Sequence, residues 1–203
     1  MNTINRPIDV CIVSYGGVGC SALMQVLNRF LKTNNPNDAD GLKHKNSPKL
    51  PIYKGNIIRK VIYVYNNPMN AVISLYRRNF QQAQLRKLTG KKAPPNFTLK
   101  NYAKSGIDIF EMEQHFHNWA IGSNKFPILM VNGATMYKNT NLRKIMHFLG
   151  VNIPLLFFQQ IPRKSNYKTI DPEIREGLEK IYSKFNQRLN EYPDVKLIRR
   201  INK

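Results

Sequence analysis

The segment from Ile8 to Leu31 limits this chain more than any other, because it reads as a strand, a glycine-rich turn and a helix in immediate succession. Ile8 to Tyr15 is a short apolar run with β-branched residues, the composition of a strand buried on both faces. Leu23, Val26, Leu27, Phe30 and Leu31 then recur at helical spacing. Between them lie Gly16, Gly17, Val18, Gly19, Cys20 and Ser21. Glycine permits positive φ and lets the backbone approach a ligand closely, and the helix that follows aims its unpaired N–H groups and positive dipole end at whatever sits above the turn. An anion, most often a phosphate, suits such a place. The same residues also suit a tight glycine-rich βα connection with no ligand.

The rest of the chain repeats the alternation. Thr33 to Gly41 and the basic stretch Lys43 to Leu50 read as a connection, not a domain boundary. Val61 to Tyr65 is a second buried strand, ending in Asn66-Asn67-Pro68, where Asn67 can cap a helix that begins at proline. That helix is expected to carry Val72, Ile73, Tyr76 and Phe80 on one face, with Arg77, Arg78, Arg86 and Lys87 along it, as far as the basic loop at Gly90. A helical stripe of Ile109, Met112, Phe116, Trp119 and Ala120 spans Ile107 to Ile121, flanked by the spaced pairs Glu111/His115 and Glu113/His117. Pro127 to Asn132 is the third strand. A short helix through Leu142, Ile145, Met146 and Leu149 stops at Gly150, and a long one starts at Asp171-Pro172, with Ile174, Leu178, Ile181, Tyr182, Phe185 and Leu189 inward. The expected class is therefore α/β, a parallel β-sheet flanked by helices, in a single domain over residues 1–203.

Charge narrows the partners. A formal net charge of +20 predicts attraction to polyanions or anionic small molecules and salt-sensitive association. The basic residues are spread over loops and helix faces, with no zinc-finger spacing and no RNA-recognition motif, so a nucleic-acid-binding protein is the less favoured alternative. Two cysteines, Cys11 and Cys20, cannot build a disulfide scaffold, no run is long enough for a membrane span, and Met1 to Pro7 lacks the features of a signal peptide. These features predict a soluble, cytoplasmic protein.

A triphosphate site of the P-loop kind needs a lysine and a serine or threonine after its last glycine, and a carboxylate at another strand end for magnesium. Here Cys20 and Ser21 follow Gly19 without a lysine, and the other strands end in Asn66 and Asn132. A dinucleotide fold would need its acidic residue at Asp38 or Asp40, which sit in a loop with no strand before them. What remains is an anion cradle working without a metal. Sulfuryl transfer fits, because that group carries one negative charge and backbone amides with a few cations can stabilise its transition state.

The chain resembles the PAPS-dependent sulfotransferases, whose core is a P-loop NTPase-like α/β fold. Tyr15-Gly16-Gly17-Val18-Gly19-Cys20-Ser21 stands where that family keeps a Tyr-Pro-Lys-Ser-Gly-Thr-Thr type of loop for the 5'-phosphosulfate. Val61 to Tyr65 with Asn66-Asn67-Pro68 is similar to the family's strand ending in Arg-Asp-Pro, and Ser74 has the spacing of the serine that joins the arginine on the 3'-phosphate. His117-Asn118-Trp119, Ile128 to Val131 and the Phe148-Leu149-Gly150 ending resemble its later segments. The resemblance implies 3'-phosphoadenosine 5'-phosphosulfate (PAPS) as donor, 3',5'-adenosine bisphosphate as product, a hydroxyl-bearing acceptor and no metal. Two positions depart from it. Gly17 replaces the loop lysine and Asn66 the 3'-phosphate arginine, so other cations must serve, with Lys43, Lys45, Arg77, Arg78, Arg163 and Lys164 as candidates, or the protein binds a related ligand without turnover. The acceptor's proton requires a base, for which His44, His115 and His117 are candidates.

Overall fold

A computed structural model describes residues 8–49, 58–122, 125–159, 162 and 164–198. Its sheet has the order β1 (Cys11–Val13), β2 (Val61–Tyr65), β3 (Ile128–Asn132) and β4 (Val195–Ile198), the first three parallel and β4 antiparallel to β3. All residues of β1 and β2 are buried, as the apolar runs required. β1 is shorter than the Ile8–Tyr15 run, because Ile8 and Val10 make only isolated bridges and the Ser14 amide turns away to the Lys43 carbonyl, 2.9 Å off. On its outer edge the Asn34 side chain accepts from the Ile12 amide (2.7 Å) and donates to the Ile12 carbonyl (3.0 Å), standing in for another strand. β4 lies outside the sequence expectation. It is only half-buried and carries no strong alternation.

The helices are α1 (Cys20–Leu27), α2 (Pro68–Arg77), α3 (Gln81–Thr89), α4 (Leu99–Ser105), α5 (Met112–Ala120), α6 (Asn139–Leu149) and α7 (Pro172–Glu191). Asn67 and Asp171 cap as expected, accepting from the amides of Asn70 (3.0 Å) and Ile174 (3.2 Å). Several boundaries differ from expectation. α1 stops at Leu27, and Phe30 is exposed against the ring of Phe157. The helix expected to run from Pro68 to Gly90 is two: Asn79, at φ +56, breaks it, leaving Phe80 exposed instead of inward and dividing Arg77 and Arg78 from Arg86 and Lys87 on α3. α5 begins at Met112, not Ile107, where the Asp108 carboxylate accepts from the Glu113 amide (3.2 Å). α4 is too short for helical periodicity to mark it in the sequence.

Helices cover both faces of the sheet. Tyr63 and Tyr65 point toward α5 and α7, Tyr63 stacking on Trp119 (5.9 Å between centroids) and Tyr65 meeting Phe116 (5.4 Å), which meets Phe185 in turn (5.8 Å). Lys60 is in phase with Ile62 and Val64 on the other face. Its ammonium donates to the carbonyls of Phe148 (2.7 Å) and Leu149 (3.0 Å), so the C-terminus of α6 lies there and receives a cation. α4 packs so closely on α7 that a Cβ on Gly177 would lie 2.6 Å from the Ala103 carbonyl oxygen. Beside that contact the Tyr182 hydroxyl donates to Asp108 (2.6 Å) and shares a hydrogen bond with the Tyr102 hydroxyl (2.5 Å). Among the described residues no helix is long and apolar enough to cross a membrane.

The C-terminal ends of the three parallel strands are tied together. The Tyr15 hydroxyl accepts from the Asn66 amide (2.9 Å) and donates to the Asn66 carbonyl, while the Gly133 amide donates to the Tyr65 carbonyl (2.7 Å). In open α/β sheets ligands bind outside these ends.

Candidate functional site

Above the strand ends lies a cleft of about 730 Å³, with Gly16 to Ser21 as its floor. Gly17, at φ +70, is required by space: a Cβ there would lie 2.5 Å from the Ala71 carbonyl oxygen of α2. Gly19, at φ +90, is the N-cap of α1 and supplies no side-chain cap. The first-turn amides of Cys20, Ser21 and Ala22 therefore lack acceptors within the helix, and all three residues line the cleft.

Lys43 brings to this floor the cation that the turn lacks. It is 7% exposed, and its ammonium donates to the Ser21 hydroxyl (2.9 Å) and the Pro36 carbonyl (2.6 Å). Asp38, the nearby carboxylate, is ion-paired with Lys87 at 2.6 Å and accepts the backbone N–H of Lys43 (2.9 Å). These two acceptors use two of the three ammonium protons of Lys43, which lines the cleft.

His44 lines the cleft beside it. Its Nδ1 lies 2.8 Å from the Ser14 carbonyl, which can only accept, so Nδ1 carries the proton and Nε2 keeps a lone pair. Burial, with lesser contributions from Lys43 and Lys87, lowers its pKa to about 4. At neutral pH the ring is an uncharged base.

Ser14, to which the sequence assigned nothing, joins these parts. Its amide donates to the Lys43 carbonyl, its carbonyl accepts from His44, its Oγ accepts from the Gly16 amide (3.2 Å), and Oγ lies 3.4 Å from Cys20 Sγ. A serine inside an apolar strand run was the available signal. Gln84, which no sequence motif marks, donates to the Tyr15 carbonyl (3.0 Å) from beneath Gly16.

Ser74, Arg77 and Arg78 at the end of α2 line the same cleft. The Arg78 Nε donates to the Ser74 carbonyl (3.0 Å), and its guanidinium lies over the Phe80 ring, 5.1 Å from the centroid. Burial, then Arg77, lowers the Arg78 pKa from its usual value, so this guanidinium is held partly out of water beside a second cation. Lys164 and Ser165 also line the cleft, and Ser165 is buried with no partner for its hydroxyl among the described residues. Arg163 lies outside the described residues.

Other expected site residues are elsewhere. Tyr15 is fully buried and fastens β1 to β2 instead of facing the cleft. Asn66 is 5% exposed beneath the turn, its Oδ1 accepting from the Asn67 amide (2.7 Å) and its Nδ2 facing Gly133, so it does not share a ligand face with Ser74. His115 is buried in the core, Nδ1 2.8 Å from the Tyr63 hydroxyl, and burial drives its pKa down to about 3. Its expected partner Glu111 pairs with Lys91 (2.6 Å), and Glu113 pairs with Arg188 instead of His117. His117 is exposed on α5 and Lys45 is exposed beyond His44; neither lines the cleft. The cause is common to these residues: sequence spacing placed them on faces, and packing decided which face meets the strand ends.

Cys11 and Cys20 are both buried thiols. Among the described residues no cluster of three His, Cys, Asp or Glu could hold a metal. The sequence matches no protein-family model and no curated protein.

Proposed function

We propose that this cleft binds an adenine nucleotide bearing a 3'-phosphate and transfers a sulfuryl group to a hydroxyl acceptor without a metal. The observation that carries the reading is Lys43, a buried ammonium delivered from a neighbouring loop to Ser21 at the N-terminus of α1. It supplies the cation missing from the turn itself. The donor set fits a phosphosulfate: backbone amides and a lysine at the floor, with the carboxylate of Asp38 already ion-paired to Lys87. PAPS, when bound, would supply the activated sulfuryl group. Ser21, Lys43 and the first-turn amides of α1 would hold its 5' end, and Ser74, Arg77, Arg78 and Lys164 its 3'-phosphate. His44 Nε2, with Nδ1–H fixed on Ser14, would take the acceptor's proton.

A second reading is favoured by Asn66, whose buried amide leaves the place of the family's 3'-phosphate arginine without charge. On that reading the protein binds the nucleotide and does not turn it over. Thermal shift and calorimetry with 3',5'-adenosine bisphosphate, ATP with magnesium, NAD and a short oligonucleotide test the binding step, and mass spectrometry of hydroxyl acceptors incubated with PAPS tests transfer. Stabilisation by the bisphosphate without metal is expected. Stabilisation by magnesium ATP with none from millimolar bisphosphate refutes the proposal, preference for the oligonucleotide points to nucleic-acid binding, and binding without sulfated product selects the second reading.

A further inference from the structure

Lys43 and His44 belong to a loop with no regular secondary structure, yet their side chains have specified partners, Ser21 and Pro36 for Lys43 and Ser14 for His44. What holds the loop from behind is α5. Three of its side chains, at helical positions i, i+3 and i+4, meet the backbone just after Lys43. His115 lies against the backbone of His44 and Lys45. The Asn118 amide donates to the Asn46 carbonyl (2.9 Å), and the Trp119 indole N–H donates to the Lys45 carbonyl (2.9 Å). Residues at this spacing share one helix face, so α5 presents a fixed row of polar groups to an otherwise irregular segment. The row is itself anchored on the sheet, Trp119 by stacking on Tyr63 and His115 by its hydrogen bond to the Tyr63 hydroxyl. From the front, the Ser14 amide donates to the Lys43 carbonyl and the Ser14 carbonyl accepts from the His44 ring. The loop is clamped between the end of β1 and the face of α5.

We infer that Trp119 and Asn118 are positioning residues for the cleft: by holding the carbonyls of Lys45 and Asn46 they set where the Lys43 ammonium and the His44 imidazole stand. Neither residue lines the cleft. The inference rests on the proposed function only for the use to which Lys43 and His44 are put, and the test separates the two.

Trp119→Phe keeps an aromatic ring on Tyr63 and removes the indole donor, and Asn118→Ala removes the other hydrogen bond from a less buried position. Thermal melting checks that each variant is folded. NMR titration of the His44 ring then reports its setting among the groups that face it, Asp38, Lys43, Lys87 and His115. In the parent protein the ring should titrate near 4. In folded Trp119→Phe it should move upward toward the ordinary histidine value as the loop loosens and water reaches the ring, and affinity for 3',5'-adenosine bisphosphate should fall about tenfold. Asn118→Ala should shift both in the same direction by less, and it carries the test alone if Trp119→Phe does not fold. Unchanged His44 titration in the folded variants overturns the inference, whatever happens to melting temperature. A parent protein that ignores the bisphosphate, with His44 still responding to Trp119→Phe, refutes the proposed function and leaves the clamp standing.

Discussion

Lys43→Met separates a ligand-binding lysine from a structural one. The ammonium is buried, and the adjacent carboxylate, Asp38, is committed to Lys87, so among the described residues Lys43 has no ion-pair partner of its own. Methionine keeps the apolar stem and discards that charge. Two hydrogen bonds are lost, to Ser21 and Pro36, at about 1 kcal/mol each. Relief of a buried charge acts in the opposite sense with similar size, so melting of the free protein should change by no more than a few degrees. Ligand response should collapse. Removing one charge-assisted contact to an anion costs about 2 kcal/mol, or roughly 30-fold in affinity. Bisphosphate at 100 times the parent dissociation constant adds about 2.7 kcal/mol to the parent, but only about 0.9 kcal/mol to the variant at the same concentration. With an unfolding entropy near 2.1 cal/mol/K per residue over 203 residues, these become shifts of about 6 °C and about 2 °C in a thermal-shift assay. A variant that loses more than about 3 kcal/mol of stability while keeping the full ligand shift would show Lys43 to be a structural strut, and the reasoning would fail.

Gly17 and Gly19 should separate in function. Gly17→Ala adds a Cβ 2.5 Å from the Ala71 oxygen at φ +70 and should cost about 2–4 kcal/mol in urea unfolding, whereas Gly19→Ala, at an exposed cap, should cost about 1 kcal/mol and mainly weaken bisphosphate binding in calorimetry. Stability should fall with pH between about 6 and 4. His44 and His115 have lowered pKa values in the folded state, so the unfolded chain takes up two protons that the folded one refuses, while Asp108, raised to about 6 by burial, holds one proton that the unfolded chain releases. The net of one proton gives a slope of about 1.4 kcal/mol per pH unit, and Asp108→Asn should steepen it toward about 2.7; a flat profile over this window would contradict the burial of both histidines. Asn66→Arg should destabilise by about 2–4 kcal/mol, because a guanidinium must enter the closed space between Gly133 and the turn; tighter bisphosphate binding at unchanged stability would show that the side chain escapes into the cleft.

Much of this architecture is local information. β2 and β3 coincide with apolar runs that satisfy both faces of a buried strand, and α2 and α7 begin where Asn67-Pro68 and Asp171-Pro172 supply a side-chain cap and a pre-set φ. The glycine turn likewise announces itself, because positive φ and close approach depend on residue type more than on distant contacts. Other features needed the folded molecule. Asn79 in a left-handed conformation splits one periodic stretch into α2 and α3, and α4 and β4 are too short or too weakly alternating to stand out. The histidines are the clearest case: His115 and His117 share one helix, yet the first is in the core and the second in water, while His44 is set in the cleft by Ser14, thirty positions earlier in the chain. Lys43 reaches Ser21 across a similar distance. Residue type and short-range periodicity determine which segments can be strands, turns and helices, because those preferences act over a few bonds; which cation stands at the turn and which imidazole keeps a free lone pair are decided by long-range packing, through loop paths that no local pattern encodes.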